Sequence, residues 1–575
     1  MAINVGSFLN WTLTAILWAT CALSNVGRCD VLRMPFLQAS DLVNPAGVQL
    51  NAQLPLTGAT LYDKTPQSSV WQTPMASRQT DGDTVQIWYL RVDYGPSNPQ
   101  DQLTLCLAEI DQGQWKLTEV SQTPAPWGGT NNIVMRRSPF PSTWGGFAPH
   151  QIVESANGLQ MLFWDQPGPV GSAGAIRATS TDGTSWTKAT KTLFTDFNDN
   201  FTLRREGGTD YVYHEALQPW PDKPYPDNLP TYRRVISLRT STDQLTTITP
   251  VNIVNPTLAP DALDPIETEF YCLKTFEYGS GYAGILWKYY ADPARPNQHS
   301  QKFKYELVTS EDGVSWDRPY REVDLGFYSY ADPVFLDGKM WFATQGRPNT
   351  AAEGDTLLKG WSEDRMVAAS GNGSFRSQVF TTPDGHLALN ADVTSGSVAV
   401  WALDANGATV PGFSTFQITA ANGIIEIPWD VSLLPEQMSL QIGMNGGAKV
   451  FGITSIVPPA LVGDFNSDGT VDAADYTVWR DNFGSSSTLP NDNGLGAPVR
   501  EEHYSLWKAN FGESGAGTGA QNVPVGGVPE PCTSLLLMVS LAMGIGRNAL
   551  AAASPVRVTR SLASKRLVMR RGVSR

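Results

Sequence analysis

Four carboxylates crowd the segment Asp261-Ala-Leu-Asp264-Pro-Ile-Glu267-Thr-Glu269-Phe-Tyr271, just ahead of an apolar run that Glu269 itself opens. Such a carboxyl can give a proton to a leaving oxygen while a second, ionised one activates water or attacks, the division of labour that cleaves an acetal. Asp332, in Tyr328-Ser-Tyr-Ala-Asp332-Pro-Val-Phe335, and Asp165, closing Leu159-Gln-Met-Leu-Phe-Trp-Asp165, are the other candidate acids. The plainer readings are a solvated acidic loop at 261–269 and a turn-forming Asp-Pro at 332. Gln72, Arg91, His150, Asp199 (or its neighbour Asn200), Glu215, Trp287, Lys288 and Arg347 stand at matching strand ends. A ring of carboxylates, bases and aromatic faces suits a polyhydroxylated ring, because aromatic faces stack on pyranose rings while charged groups hold hydroxyls.

A second chemistry is written in Asp464-Phe-Asn466-Ser-Asp468-Gly469-Thr470-Val-Asp472-Ala-Ala-Asp475. Oxygen ligands at alternate positions, glycine at the sixth and a carboxylate at the twelfth suit a loop wrapped round one hard cation, with Thr470 giving its carbonyl. Asp464, Asn466, Asp468, Thr470, Asp472 and Asp475 are therefore expected to hold calcium. The following stretch, Tyr476-Thr-Val-Trp479-Arg-Asp-Asn-Phe-Gly484, recurs as Tyr504-Ser-Leu-Trp507-Lys-Ala-Asn-Phe-Gly512. The second loop offers Asp492, Gly494, Gly496, Arg500 and His503 at the corresponding positions, so a single ion is expected.

The elements that must carry the first set are fixed by a repeat. Thr179-Ser-Thr-Asp182-Gly-Thr-Ser-Trp186 returns as Thr309-Ser-Glu-Asp312-Gly-Val-Ser-Trp316, with looser copies around Asp111, Asp243 and Asp364. Intervals of roughly 50 to 70 residues match a four-stranded sheet with its loops, so five copies predict a five-bladed β-propeller over 29–370. Placing each Asp turn between third and fourth strands sets first strands at 70–78, 148–154, 199–204, 268–276 and 330–336. First strands line the channel of a propeller, which gathers the candidate residues there. Beyond Gly371 short alternating strands predict a β-sandwich over 371–457, then the small helical repeat pair at 460–514.

Composition agrees with a loop-rich β protein. The 575-residue chain has 52 Gly, 40 Pro and 18 Trp but only 17% charged residues, and its net charge of -14 argues against nucleic acid as a partner. An uncharged apolar run, 8–23, predicts a signal peptide over 1–28. Cys106 and Cys272, inside apolar strands, are expected as buried free thiols. A Gly-rich linker, 515–527, leads to Val528-Pro-Glu-Pro531, the apolar run 532–546 and a basic tail to residue 575. Fifteen uncharged residues are short for a stable span, so membrane association there is expected to be transient.

Gly129-Thr-Asn-Asn132-Ile-Val, Thr268-Glu269-Phe-Tyr271, Tyr282-Ala-Gly-Ile-Leu-Trp287 and the Ser-x-Asp-Gly-x-x-Trp turns resemble planctomycete secreted proteins related to five-bladed glycosidases of the arabinanase, invertase and levansucrase type. The resemblance covers about residues 30 to 455 and implies a secreted or surface-sorted hydrolase of poly- or oligosaccharides. It further implies three channel carboxylates from different blades, with Glu269 as acid and Asp332 as partner. Gln72 stands where the first blade would supply an acid, which leaves a non-catalytic carbohydrate-binding or scaffold role as the alternative. The duplicated loop-helix unit is similar to a dockerin, implying a cohesin-like partner. The tail looks like a PEP-CTERM sorting signal.

Overall fold

The computed structural model describes residues 31–62, 70–81, 84–93, 102–120, 132–138, 147–166, 173–195, 200–225, 227, 229–292, 303–346, 354–456, 461–467 and 469–513. The chain divides into two compact units, Met1–Val457 and Pro458–Arg575. Within the first, five antiparallel sheets follow one another as the blades of a propeller. Blade 1 runs Val70–Asp81, Thr84–Asp93, Leu103–Asp111 and Lys116–Glu119, with Ile133–Arg136 added beside the third strand. Blade 2 is Phe147–Ser155, Gly158–Asp165, Gly174–Ser180 and Thr187–Phe194. Blade 3 is Phe201–Glu206, Thr209–Pro219 and Tyr232–Ser241, and blade 4 is Thr268–Tyr278, Gly281–Tyr290 and Phe303–Ser310. Blade 5 takes Val334–Leu336, Lys339–Gln345 and Thr356–Ser362 from its own stretch, and its outer strand, Leu56–Tyr62, from before blade 1. The ring is thus closed by its earliest strand, which leaves no blade to float at the seam.

Second strands such as Gly158–Asp165 are buried almost throughout, because each blade packs on both faces against a neighbour. Every seam has its own apolar cluster. Trp88 and Phe163 meet between blades 1 and 2, Leu162 and Phe201 between 2 and 3, Tyr213 and Phe270 between 3 and 4. Cys272 and Phe342 meet between 4 and 5, and Val85 and Trp341 between 5 and 1. Inner strands are tied in a circle: Arg78 to Glu154 (2.9 Å), Arg205 to the Glu154 carbonyl (2.7 Å), Thr202 to the Leu273 carbonyl (2.5 Å), Lys274 to Asp332 (2.5 Å), and Ser77 to the Asp332 carbonyl (2.6 Å). Cys106 and Cys272 are free and buried.

The repeated turns serve the same seams. Asp182 Oδ1 accepts the Thr184 N–H (2.8 Å) and Asp312 Oδ1 those of Val314 and Ser315 (2.7 Å each), so one carboxylate replaces a backbone acceptor in each turn. Burial opposes ionisation of both groups, yet these donors hold their carboxyls below the usual range. Gly183 then points its carbonyl at Trp88 Nε1 of blade 1 (2.9 Å), and the Gly313 carbonyl accepts the Tyr213 hydroxyl of blade 3.

Residues after the propeller do not form two stacked sheets. Ten strands make a single curled sheet, seven of them in the order Phe416–Thr419, Ser397–Asp404, Gln437–Asn445, Val367–Ser377, Lys449–Ile456, His386–Asp392, Asn422–Glu426, with Phe380–Thr381 added beside Gln437–Asn445. Arg33–Pro35 pairs with Lys449–Ile456 and Leu42–Ala52 with Val367–Ser377, so the chain's first two strands belong here rather than to a blade. Register shifts beside Asn44 and Gly47 bend Leu42–Ala52, and a Cβ on Gly373 would lie 1.8 Å from the Ala46 carbonyl oxygen. Bulges and bare glycines let one sheet wrap around Phe36, Phe375, Leu389, Val400, Leu440 and Val450 instead of splitting.

The second unit holds two helices, Ala473–Asn482 and Glu501–Asn510, around Phe465, Val471, Leu489, Val499 and Trp507. Their tryptophans bind reciprocally: Trp479 Nε1 donates to the Arg500 carbonyl (3.0 Å) and Trp507 Nε1 to the Asp472 carbonyl (2.6 Å). Among the described residues no helix is long and apolar enough to cross a membrane. The signal-like run, the linker and the sorting tail lie outside the described residues.

Candidate functional site

Glu269 is wholly buried at the start of blade 4's inner strand. Its Oε1 accepts Lys223 Nζ (2.6 Å) and the Tyr225 hydroxyl (3.3 Å), and its Oε2 accepts Arg234 Nη1 (2.6 Å). Arg234, on the third strand of blade 3, also sets Nε 2.8 Å from Glu215 Oε1. Burial opposes the guanidinium charge, but Glu215 and Glu269 outweigh it and hold Arg234 above its usual value. Lys223, from the loop between blade 3's second and third strands, further bonds Asp227 (2.7 Å) and the carbonyls of Leu229 (3.2 Å) and Tyr232 (2.8 Å). Burial and the adjacent Glu269 push the Tyr225 hydroxyl well up, which keeps it a donor.

The network continues towards the channel. Asn200 Nδ2 approaches Glu215 Oε2 (3.3 Å), the Tyr330 hydroxyl donates to Asn200 Oδ1 (2.8 Å), and the buried His150 ring lies 5.3 Å from that of Tyr330. His150, Glu215 and Glu269 are therefore brought together, as their strand-end positions suggested. Lys223, Tyr225, Arg234, Asn200 and Tyr330 complete the set; of these the sequence offers only Asn200 as a candidate. Lys223 and Tyr225 sit in an aperiodic Pro-rich loop and Arg234 mid-strand, so spacing carried no signal for them.

Asp332 lies at another level. Its Oδ1 accepts Lys274 Nζ (2.5 Å) and its Oδ2 accepts Gln151 Nε2. Lys274 is five residues beyond Glu269 on one strand, roughly 16 Å along it at strand rise. The partners of the two carboxylates differ, and the two do not form a pair. The slip has a local cause: blade 5's inner strand is only Val334–Leu336, so Tyr330, not Asp332, reaches the level of Asn200 and His150. Burial lowers the Lys274 amine, partly offset by Asp332.

The remaining candidates disperse. Asp165 is buried and saturated: Oδ1 takes the N–H groups of Ser138 (3.1 Å) and Gln166 (2.8 Å), Oδ2 the Ser138 hydroxyl and Lys188 Nζ (2.7 Å each). Lys288 leaves the channel for an outer ion-pair chain, bonding Glu306 (2.7 Å), which bonds Arg318 (2.8 Å), which bonds Asp264 (2.5 Å). Asp261 joins that chain through Arg321, so most of the acidic segment ahead of Glu269 is ion-paired frame. Gln72 lies across from Arg91, which pairs with Asp93 at 3.5 Å. Asp199 and Arg347 lie outside the described residues.

Trp287 lines a notch beside this network, with Tyr305, Tyr328 and Tyr330 as further walls and Thr73 and Gln345 as polar edges. Its ring lies 5.3 Å from Tyr328 and 6.0 Å from Tyr305. The notch measures about 70 Å³, room for several waters or the edge of one sugar ring. Thr73 Oγ1 donates to Gln345 Oε1 (3.0 Å) across it, and the Trp287 indole N–H has no hydrogen-bond partner among the described residues.

In the second unit Asp464 and Asp475 are both buried. Asp464 Oδ2 accepts the Gly469 N–H (2.9 Å), while Asp475 accepts those of Asn466 (3.0 Å) and Asp472 (2.8 Å). Burial first, and Asp464 beside it, push the Asp475 carboxyl up, the signature of two acids facing one small space. These residues fit a hard cation. Asp472 also caps the helix through the Ala474 N–H (2.7 Å). Asp468 lies outside the described residues, among which no three acidic, His or Cys side chains form a metal cluster. The second loop does not fit: Asp492 is taken by the N–H groups of Gly494 (2.9 Å) and Gly496 (2.8 Å), and the buried His503 stands in the twelfth position, Nε2 3.6 Å from Asp492.

No protein-family profile and no curated protein matches this sequence. Similar solved structures include a family 32 β-fructofuranosidase of Bombyx mori, at 11% identity and TM-score 0.34, covering 70% of this chain and 93% of that one. A family 117 glycoside hydrolase of Zobellia galactanivorans is similar at 12% identity and TM-score 0.31, covering 58% and 85%. A member of the family 130 mannoside phosphorylases and hydrolases is similar at 13% identity and TM-score 0.34, covering 57% and 96%. Likeness at this level gives no residue roles, and the propeller rests on this chain's own strand order.

Proposed function

We propose that the propeller is a carbohydrate-binding domain of glycosidase-like architecture whose channel carboxylates hold the frame instead of transferring protons. The observation that carries this is the engagement of Glu269: Lys223, Tyr225 and Arg234 occupy both oxygens of a fully buried carboxyl, leaving neither turned to a ligand. Asp165 is equally sealed, and Asp332 faces Lys274 about five residues deeper. The aromatic notch around Trp287 then supplies the ligand surface, its indole and tyrosine faces suited to stacking and Thr73 and Gln345 to hydroxyl bonding.

A second reading, hydrolysis, is favoured by one detail. Glu215 and Glu269 lie 2.8 and 2.6 Å from nitrogens of the same guanidinium, so two carboxyls are held close together. The two readings part on turnover. Full-length protein is offered xylo-, arabino-, manno- and fructo-oligosaccharides, with binding followed by calorimetry and cleavage by reducing-sugar release. Binding weakened in Trp287→Ala without product supports recognition; product that disappears in Glu269→Gln and Glu215→Gln supports hydrolysis instead.

The setting belongs to the same reading. The apolar run 8–23 and the Val528-Pro-Glu-Pro531 tail support export and surface sorting, with transient membrane association. The buried Asp464 and Asp475 support one calcium ion in the 464–475 loop, with Asn466, Asp468, Asp472 and the Thr470 carbonyl as its other ligands. The reciprocal tryptophan bonds support a dockerin-like pairing and thus a cohesin-like partner, through which a sugar-binding propeller would be anchored to an assembly.

A further inference from the structure

The seam where blade 5 closes on blade 1 carries a second cavity, which shares no lining residue with the notch at Trp287. It is lined by Ala59, Trp115, Asp337, Lys339, Trp341 and Leu358 and measures about 180 Å³. Three backbone features shape it. The closing strand bulges: Thr57 pairs with Lys359 and Thr60 with Leu357, so Gly58 and Ala59 both stand opposite Leu358 alone. Gly58 is needed there, since a Cβ would lie 3.0 Å from the Trp341 ring and from Leu358. Trp115 and Asp337 are both left-handed, at φ 52 and 51, a conformation that costs a bulky residue and persists where surroundings impose it.

The chemistry of the walls points to one ligand class. Trp341 is 6% exposed and its indole N–H has no partner among the described residues. Trp115 is half-buried, so its ring remains partly open to solvent, while Asp337 is exposed and Lys339 partly so at the rim. Two indoles, a carboxylate and an amine are the groups that grip a sugar ring by its face and hydroxyls. The cavity is smaller than the roughly 300–1,000 Å³ of drug-sized sites, which suits a single ring. An anion would meet Asp337, and an apolar peptide would leave both charges unpaired.

We infer that this seam is a second carbohydrate-binding subsite, taking one sugar ring of a chain between Trp115 and Trp341. It is separate from the notch at Trp287 and stands or falls independently of it. The test uses full-length protein and the same oligosaccharide panel, measured by calorimetry in the Trp287→Ala background, so that the notch cannot contribute. Binding is expected to persist there and to weaken at least tenfold when Ala59→Leu fills the bulge, with Trp115→Ala as the companion variant and thermal melting as the check on folding. Affinity unchanged in folded Ala59→Leu and Trp115→Ala, or no binding to any panel member in Trp287→Ala, overturns the inference. If Trp287→Ala binds as tightly as the parent while Ala59→Leu abolishes binding, the seam is upheld and the notch reading fails.

Discussion

At the scale of single residues the decisive fact is that the channel acids are paired. Removing one partner of a buried ion pair strands the other charge and costs about 3–5 kcal/mol. Lys223→Met leaves Glu269 and Asp227 short of a cation, so a fall in urea-unfolding stability of that order is expected, together with intact far-UV CD in the surviving fold. A stability change below 1 kcal/mol would show that Lys223 is not holding these acids. Glu269 could be read from the sequence because it opens an apolar run. Its partners could not, since Lys223 and Arg234 stand 46 and 35 positions away and meet it only through the packing of blades 3 and 4. Asp332 shows the converse failure: strand periodicity located it to within two residues, and two residues along a strand is one whole level of the channel.

Turns and strands set the next level. Gly183 sits at φ 82, and a Cβ there would meet Trp88 at 2.5 Å; Gly313 sits at φ 67 with Arg204 at 2.4 Å. Gly183→Ala is expected to destabilise by more than 1 kcal/mol, beyond the conformational cost alone, and to lower the melting temperature. Acid should loosen the same turns. Thr247 and neighbouring donors depress the Asp243 carboxyl to about 2. A depressed folded-state value means that the stabilisation is present above the unfolded value of about 3.9 and fades as pH falls through about 2. Asp243→Ala should therefore narrow the difference in melting temperature between pH 5 and pH 2; an unchanged pH response would discard the turn's role. The blades were legible because these turns and the alternating strands mark each one locally. The single curled sheet was not, because alternation identifies a strand's buried face but not its partner, and Leu42–Ala52 pairs across more than 300 residues.

For the whole molecule, closure by Leu56–Tyr62 joins the chain's beginning to its fifth blade. Truncation before residue 63 should leave Leu358 and Trp341 uncovered and increase aggregation relative to the parent chain, read by size-exclusion chromatography. The repeat pair predicts calcium binding at a stoichiometry of one per chain by calorimetry; two ions would contradict the closed His503–Asp492 loop. The central claim, recognition without cleavage, is tested most directly by incubating full-length protein with each oligosaccharide and measuring bound ligand and new reducing ends in one sample. The account predicts saturable binding that Trp287→Ala weakens, with reducing ends at the buffer level. Reducing ends that accumulate with the parent protein and vanish in Glu269→Gln would contradict it.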